Sequence, residues 1–242
     1  MSHVDRFSGL VGDYVAARPS YPLESVDAIV AGLGDPASLV VADLGAGTGI
    51  SSRLIASRGP RVLAIEPNAK MRDAADPDPR VVWVDGIAER TTLDAASVDA
   101  VAAFQAWHWV DHAAGVAEAR RILRPGGRLA VAYNERDESD PFTAGFGDIV
   151  RRFSLDDTER KRARALEAVA AIDPARTRRF DFRNGHALDR GGIHRRASSS
   201  SYLPQTGDAS LAMHAAIDDL LDAHDADAYD LRLVTSLVVV DV

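Results

Sequence analysis

Residues 40–49 read VVADLGAGTG, an apolar run that leads directly into three glycines at alternate positions. Valine-rich runs too short for a helix are typical of strands buried on both faces of a parallel sheet. Glycine adopts backbone conformations that other residues avoid, and it lets a ligand approach the bare main chain. The stretch therefore predicts a strand, a tight turn and the start of a helix, with a ligand held at the turn.

Further apolar runs of the same kind recur along the chain and predict the other strands. The predicted strands are Leu39–Leu44, Arg61–Ile65, Val81–Val84, Val98–Phe104 and Arg128–Tyr133, with a closing strand at Leu231–Val240. Helical segments such as Ser51–Arg58 and His112–Leu123 lie between them. Alternation of strand and helix implies a doubly wound α/β fold, with a parallel sheet and helices on both of its faces.

The pattern divides the chain into four parts of one domain, residues 1–242. An apolar stripe at helical spacing predicts a helix at 22–33, and a second stripe follows Tyr133, where the alternation of strand and helix stops. We predict an N-terminal helical cap at 1–36, a cofactor-binding core at 37–137, a substrate-lid insert at 138–205, and a C-terminal helix with the closing strand at 206–242.

Composition limits the function classes. The 28 basic and 36 acidic side chains give a net charge of −8, which disfavours nucleic acid or an anionic membrane and favours a small-molecule partner. The chain has no cysteine, which excludes disulfides and thiolate chemistry. The N-terminus has neither a signal-peptide nor an anchor pattern, so we expect a cytoplasmic protein, and the excess of arginine over lysine suggests a bacterial source. Nothing in the sequence indicates the oligomeric state.

A carboxylate stands at the right distance from the glycine turn to bind a nucleoside. Glu66 ends the second predicted strand, 21 residues after Gly45, where it can accept both hydroxyls of a ribose. Dinucleotide-binding enzymes use G-x-G-x-x-G, but here Ile50 occupies the third glycine position. A nucleoside with an amino-acid tail fits better, and Asp43 suits the ammonium group of such a tail. Two alternatives remain: an NAD(P)-dependent oxidoreductase, and a tight turn between strand and helix that holds no ligand.

Four motifs occur in the order expected of one enzyme family: DLGAGTG at 43–49, IEPN at 65–68, GIAE at 86–89 and LRPGG at 123–127. With them, about residues 10–137 resemble class I S-adenosylmethionine-dependent methyltransferases. The motifs FQAWHW and YNERD are similar to those of a small-molecule subgroup that includes trans-aconitate methyltransferase-like proteins. The resemblance implies a Rossmann-like doubly wound sheet of seven strands, mostly parallel with an antiparallel last strand, plus a helical substrate lid.

The resemblance also implies a cofactor, S-adenosyl-L-methionine, and the residues that hold it. The cofactor-binding residues would be Tyr14, Arg18, Asp43, Gly45, Ala46, Gly47, Thr48, Glu66, Pro67, Ile87, Ala88, Phe104, Gln105 and Trp107. Among them Glu66 would bind the ribose, and Ile87 and Ala88 would contact the adenine. Arg18 would pair with the carboxylate of the methionine tail, unless it is only an exposed arginine before a turn.

The acceptor side is less defined. Trp109, Tyr133 and Asn134 are the predicted substrate residues, although this family usually has tryptophan in place of Tyr133. A hydroxyl or amine acceptor needs a base, and His108 is the candidate by position, unless it only packs between its neighbouring tryptophans. No metal-site or serine-hydrolase spacing occurs, so we predict no metal. The acceptor atom stays open between oxygen, nitrogen and carbon, as does a non-catalytic module that only binds the cofactor.

Charge is unevenly distributed along the chain. Residues 151–196 carry 13 basic and 7 acidic side chains, although the chain as a whole is acidic. This basic segment either attracts an anionic acceptor or forms a solvated helix face. The candidate clamps for such an acceptor are Arg151, Arg152, Arg178, Arg179 and Arg183.

Overall fold

The computed structural model describes residues 18–242. Its strands are β1 (Val40–Leu44), β2 (Arg61–Ile65), β3 (Val81–Val84), β4 (Val98–Phe104), β5 (Leu123–Arg136), β6 (Thr177–Leu188) and β7 (Tyr229–Asp241). They form one sheet in the order β3-β2-β1-β4-β5-β7-β6. Neighbouring strands from β3 to β5 pair in parallel, and β7 runs antiparallel to both β5 and β6. The predicted doubly wound, mostly parallel sheet with an antiparallel last strand is confirmed.

Helices connect the strands and cover the sheet. They are α1 (Leu23–Val30), α2 (Ile50–Ser57), α3 (Ala69–Asp73), α4 (His112–Ile122), α5 (Pro141–Phe153), α6 (Thr158–Ala170), α7 (Arg190–Ser198) and α8 (Gly207–His224). Helix α5 illustrates why they begin where they do. Pro141 occupies its first turn, and the Asp140 carboxylate accepts the backbone N–H of Thr143 at 2.9 Å, which satisfies a donor that the helix itself cannot.

Apolar side chains bury both faces of the sheet. On one face, Val26 and Ile29 of α1 pack with Val41 of β1 in a fully buried cluster. On the other face, Ile122 of α4 and Val169 of α6 lie in the second cluster. The sheet is therefore the middle layer of three, as alternating strands and helices require.

A third apolar cluster lies beyond the sheet, under α5, α7 and α8. It includes Phe146 of α5, Ile193 of α7 and Ile217 of α8, which pack with Leu231 at the start of β7. Because β7 is antiparallel to β5, its start lies beside the carboxyl end of β5, where Arg136 pairs with Leu233. These three helices therefore stand at the edge of the sheet where parallel strands carry their ligand sites.

Strand β6 lies inside the stretch 138–205 that the sequence assigned to the helical lid. It pairs with β7 along its whole length, from Thr177 opposite Val240 to Leu188 opposite Tyr229. Its side chains alternate between partly buried and exposed, as on an edge strand with one covered face. The lid stretch is therefore helical on either side of a strand that belongs to the sheet.

The order of the strands reverses between β1 and β4, which are neighbours although two strands separate them in the chain. At such a switch point the connections leave in opposite directions and open a crevice at the carboxyl ends of the strands. Within residues 18–242, no helix has the length and apolar character needed to span a membrane.

Candidate functional site

A cavity of about 310 Å³, called here the large cavity, lies at the switch point where β1, β2 and β4 end. Its walls combine backbone from glycines, the two carboxylate residues Glu66 and Glu89, and several apolar side chains. The predicted residues that line it are Gly45, Gly47, Glu66, Pro67, Ile87, Ala88, Phe104, Gln105 and Trp109. The structure thus brings the ends of three strands and the GIAE motif together around one space.

The turn after β1 depends on glycine. Gly45, Gly47 and Gly49 all have positive φ, from 58° to 76°, which other residues adopt only with strain. A Cβ on Gly45 would also lie 2.6 Å from the Cβ of Ala106, closer than two carbon atoms can stand. The turn therefore keeps its bare backbone against the cavity.

Glu66 is fixed by the main chain at the end of β2. It is only 8% exposed, and its two carboxylate oxygens accept the backbone N–H of Gly47 and of Asn68, each at 2.9 Å. A carboxylate has about four lone-pair sites, so two remain for a ligand. Burial raises the pKa of Glu66, although these two hydrogen bonds lower it. The side chain is positioned to accept hydrogen bonds from the cavity.

Asp43 supports the turn from behind the cavity wall. It is fully buried, and one carboxylate oxygen accepts the hydroxyls of Ser51 and Ser52, at 2.7 and 2.6 Å, on the first turn of α2. The other oxygen is buried without a hydrogen-bond partner. Burial raises the pKa of Asp43 to about 6. A buried carboxylate with an unsatisfied oxygen creates negative potential beside the turn, which a cation in the cavity would relieve.

The end of the large cavity at Ile87 and Ala88 is apolar. A two-residue bridge between Ile87 and Arg90 holds the strand-like backbone there. The Ile87 side chain is 41% exposed, which is high for a large apolar residue on a cavity wall. A flat apolar ligand at this end would cover it.

A second cavity of about 30 Å³, called here the small cavity, lies on the other side of Gln105. The predicted residues that line it are Arg18, Gly45, Ala46, Thr48, Phe104, Gln105 and Asn134. The Gln105 backbone has φ +58°, and its side-chain amide donates to the carbonyl of Asn134 at 3.1 Å. Gly45, Phe104 and Gln105 line both cavities, so the two cavities share a wall.

Three predicted residues, Trp107, His108 and Tyr133, line neither cavity. Trp107 is fully buried and its ring lies parallel to that of His112 on α4. Tyr133 is also buried, and its hydroxyl accepts the backbone N–H of His108 at 2.8 Å and lies 3.3 Å from the Nδ1 atom of that residue. His108 is therefore held by Tyr133, and its role as a base stays a prediction from its position. Tyr14 lies outside the described residues.

The arginines predicted as clamps lie on the surface. Arg151 pairs with Glu138 and Asp148, and Arg179 pairs with Glu167. Arg178 pairs with Asp241, and Arg152 lies over the ring of Phe153. None of these side chains lines the two cavities, so the clamp hypothesis finds no support from their placement.

Sequence reasoning missed several wall residues. Asn68 and Met71 line the large cavity just after Glu66, and Arg196 of α7 lines the small cavity. The IEPN motif pointed to Asn68, and the helical spacing after it could have pointed to Met71. No local signal separates Arg196 from the arginine before it, because only the packing of α7 decides which one faces inward.

Comparisons with known proteins agree with this geometry. A family model described as a methyltransferase domain matches residues 42–131. An uncharacterized methyltransferase of Mycobacterium tuberculosis is 43% identical over 147 residues, which are 60% of this chain and 59% of that protein. A trans-aconitate 2-methyltransferase of Azoarcus sp. is 41% identical over 101 residues, 40% of this chain and 39% of that protein. The chain thus spans about three fifths of the length of the mycobacterial relative.

The fold extends the likeness beyond the matched segment. A solved structure of a proposed type II methyltransferase from Anaeromyxobacter dehalogenans aligns with a TM-score of 0.67 and 22% identity, covering 92% of this chain and 96% of that one. At this identity the likeness shows a common fold and nothing more. The resemblance to methyltransferases seen in the sequence is confirmed, since the methyltransferase-domain model matches residues 42–131 of this chain.

Proposed function

We propose that this protein binds S-adenosylmethionine in the large cavity and transfers its methyl group to a small-molecule acceptor. The observation that carries the proposal is Glu66, a carboxylate on the cavity wall that keeps two acceptor sites free of the main chain. Adjacent ribose hydroxyls match that pair of acceptor sites. The turn Gly45–Gly49 beside it leaves room for a ligand that carries no pyrophosphate.

The rest of the cavity fits the same cofactor. The adenine would cover the exposed face of Ile87, and the positive charge of the cofactor would meet the negative potential of Asp43 and Glu66. Burial raises the pKa values of both of these acids. We assign residues 37–137 to the cofactor and the stretch 138–205 to the cover over the acceptor.

The cofactor supplies a methyl group that is already activated by a positively charged sulfur. What the chain must supply is therefore alignment of the acceptor and exclusion of water. Gln105 stands between the two cavities and, with Trp109 and Asn134, forms the walls next to the proposed acceptor position. If the acceptor needs a proton removed, His108 is the nearest candidate along the chain, held by Tyr133.

Calorimetric titration with S-adenosylhomocysteine tests the cofactor without knowledge of the acceptor. We expect saturable binding of this nucleoside and none of NAD. In Glu66→Gln, which removes the charge that strengthens the ribose contacts, the affinity should fall by about 10- to 100-fold. The matched control is Glu24→Gln, on the exposed side of α1, which should bind like the unchanged protein.

Three outcomes would contradict the proposal. Binding of NAD alone would favour the oxidoreductase alternative, and unchanged affinity in Glu66→Gln would remove the ribose assignment. Tight nucleoside binding without transfer of a labelled methyl group to any acceptor, in a screen of small metabolites, would favour a non-catalytic binding module.

A further inference from the structure

Strand β6 forms one edge of the sheet over 12 residues. Within residues 18–242 it pairs with β7 alone, because the strand order ends with it. An edge strand carries a row of backbone N–H and C=O groups that no neighbouring strand satisfies, so it can pair with a further strand. The strand at the opposite edge, β3, has only four residues. The β6 edge is therefore the longer of the two surfaces on which this sheet can be extended.

The hydrogen bonds of β7 determine which residues of β6 face this edge. The carbonyl of Arg232 accepts the N–H of Asp137 on the side of β5, so the even-numbered residues of β7 bond to β5 and its odd-numbered residues bond to β6. The partners of those odd-numbered residues on β6 are even-numbered. The odd-numbered residues of β6 therefore direct their N–H and C=O groups outward. In agreement, the N–H of Gly185 donates to the side-chain oxygen of Asn184.

This arrangement restricts how two copies of β6 could pair. In an antiparallel pair, residues that exchange hydrogen bonds must both face the shared edge. A twofold axis between two copies must therefore pass at a residue and not between two residues. An axis at Phe182, near the middle of the strand, places Thr177 opposite Ala187 of the second copy and every other outward-facing residue opposite another one. An axis at any other residue leaves part of the edge unpaired, so Phe182 gives the longest ladder.

The charges along the edge fit the same axis. Asp181 and Arg183 are exposed on one face of β6, and an axis at Phe182 places each of them opposite the other in the second copy. Among the described residues Arg183 has no carboxylate partner, whereas Arg179 has one. Asp181 accepts the hydroxyl of Ser236 at 2.7 Å but has no cation beside it there. Moving the axis by one residue would place Asp181 or Arg183 opposite itself, and like charges in that position are destabilising.

The other face of the strand carries two phenylalanines. Phe180 and Phe182 are half-buried, with their rings nearly parallel and 6.0 Å between the centroids, and they pack against the apolar cluster that includes α1. An axis at Phe182 places the two Phe182 side chains opposite each other at a position without hydrogen bonds, where side chains across a pair of strands come closest. The second copy would cover apolar surface that one copy leaves exposed.

We infer that two copies of this chain pair antiparallel along β6, about a twofold axis at Phe182, so that a single sheet runs through both molecules. Reciprocal ion pairs between Asp181 and Arg183 fix the register. Strands β5 and β7 separate this edge from β4, where the large cavity lies. The inference is therefore independent of the proposed function, and substitutions at the edge leave the proposed cofactor site unchanged.

Sedimentation equilibrium tests the pairing through its charges. The unchanged protein should have twice the mass of one chain. Asp181→Arg and Arg183→Asp each place like charges opposite each other twice, so each should raise the dissociation constant of the dimer by about 100-fold or more. The double variant exchanges the two charges and should restore the dissociation constant to within about tenfold. Asp73→Arg, at an exposed position of α3, is the control and should dimerise like the unchanged protein.

Disulfide cross-linking tests the register. The chain has no cysteine, so Phe182→Cys introduces a single thiol. Opposite residues at a position without hydrogen bonds have Cα atoms about 4.5 Å apart, which a disulfide can span. Phe182→Cys should therefore form a cross-linked dimer under mild oxidation. Arg183→Cys should not, because its two copies stand two residues apart along the paired strands, beyond the roughly 7 Å that a disulfide can span.

Two results would overturn the inference. A protein that stays monomeric throughout the micromolar range would leave the β6 edge to a strand of another protein. A dimer that persists in both single charge reversals, or that cross-links as readily through Arg183→Cys as through Phe182→Cys, would have its contact elsewhere on the surface. Circular dichroism of each variant distinguishes dissociation from misfolding. If Asp181→Arg misfolds, Arg183→Asp still gives the answer, because Arg183 has no ion pair to lose among the described residues.

Discussion

Burial of the Asp43 carboxylate disfavours its charged form and so destabilises the ligand-free protein. Its carboxylate is fully buried at the end of β1, one of its oxygens has no hydrogen-bond partner, and Glu66 adds negative charge nearby. Serine hydroxyls from α2 compensate only in part. Natural proteins keep such destabilising groups where binding needs them. Asp43 therefore links the stability of the ligand-free protein to the charge of its ligand.

Replacing Asp43 by Asn should stabilise the ligand-free protein at pH 7. Burial raises the pKa of Asp43 from its ordinary value of 3.8 to about 6, so the folded state binds a proton that the unfolded state has already lost in this range. Stability consequently falls as the pH rises from 3.8 to about 6, by up to about 3 kcal/mol, and stays lower above it. Asp43→Asn should remove most of that loss, as urea unfolding at several pH values would measure.

The same variant should lose affinity for S-adenosylhomocysteine, because the amide no longer offers negative charge to the ammonium group of the amino-acid tail. Asp73→Asn, at an exposed position of α3, is the control and should change neither property. If Asp43→Asn proved less stable at pH 7, the two serine hydroxyls would have to depend on a full negative charge, and the link between stability and binding would be absent.

The parts of the site that the sequence could predict follow directly after strands. Gly45, Glu66 and Gln105 each stand within two residues of a strand end, and parallel strands bring those ends to one edge. Asp43 lines neither cavity, because its carboxylate faces the serines at the start of α2, and its contact with the ligand stays a prediction. Arg196 could not be predicted, since its place depends on how the lid helix packs.

Helices α7 and α8 meet through a pair of histidines. The Nδ1 atoms of His194 and His214 are 2.8 Å apart, and His194 Nε2 lies 3.1 Å from an oxygen of Asp218, which Arg190 also pairs with. A hydrogen bond between two ring nitrogens needs one proton and one lone pair, so both rings cannot be protonated without breaking it. This contact between α7, in the stretch 138–205, and α8, in the stretch 206–242, is therefore sensitive to acid.

We expect the contact between α7 and α8 to lose stability as the pH falls below the ordinary histidine pKa of 6.5. Burial and the neighbouring His194 lower the pKa of His214, although Asp218 raises it. As the pH falls, the unfolded chain therefore binds a proton at this histidine before the folded state does, and this favours unfolding. His214→Gln should reduce the difference in unfolding free energy between pH 7.5 and pH 5, as urea unfolding would measure. The control is His224→Gln, at an exposed position of the same helix. If His214→Gln left the difference in unfolding free energy between the two pH values unchanged, the histidine pair would not be what makes the contact between α7 and α8 sensitive to acid.

Strand β6 shows why elements of the lid were harder to predict than those of the core. Its sequence places Phe180 and Phe182 between charged residues, an alternation with a period of two that is typical of a half-covered strand. The high arginine content of the basic segment obscured that alternation. Core strands such as β4 are buried on both faces, and a continuous apolar run identifies them without knowledge of their neighbours.

One sheet runs through three of the four parts into which the sequence divides the chain, namely 37–137, 138–205 and 206–242. Strand β5 pairs with β4 on one side and with β7 on the other, and β7 also pairs with β6. The same strand β7 contributes Leu231 to the apolar cluster under the lid helices. Residues 37–137 and residues 138–205 are therefore joined through β7 by backbone hydrogen bonds and buried side chains, so unfolding of either part would expose the other.

We therefore expect the protein to unfold in one transition, and a ligand of the large cavity to shift all of it. S-adenosylhomocysteine at 100 times its dissociation constant should stabilise the folded state by about 2.7 kcal/mol, which for a chain of this size raises the melting temperature by about 5–10 °C. Far-ultraviolet circular dichroism and tryptophan fluorescence should report the same unfolding midpoint. Trp83 and Trp109 lie within residues 42–131, so the fluorescence follows that part of the chain, whereas the helices after residue 138 contribute to the dichroism. The alternative result is two separate midpoints, of which the ligand moves only the fluorescence transition. It would mean that β7 does not couple residues 138–205 to residues 37–137.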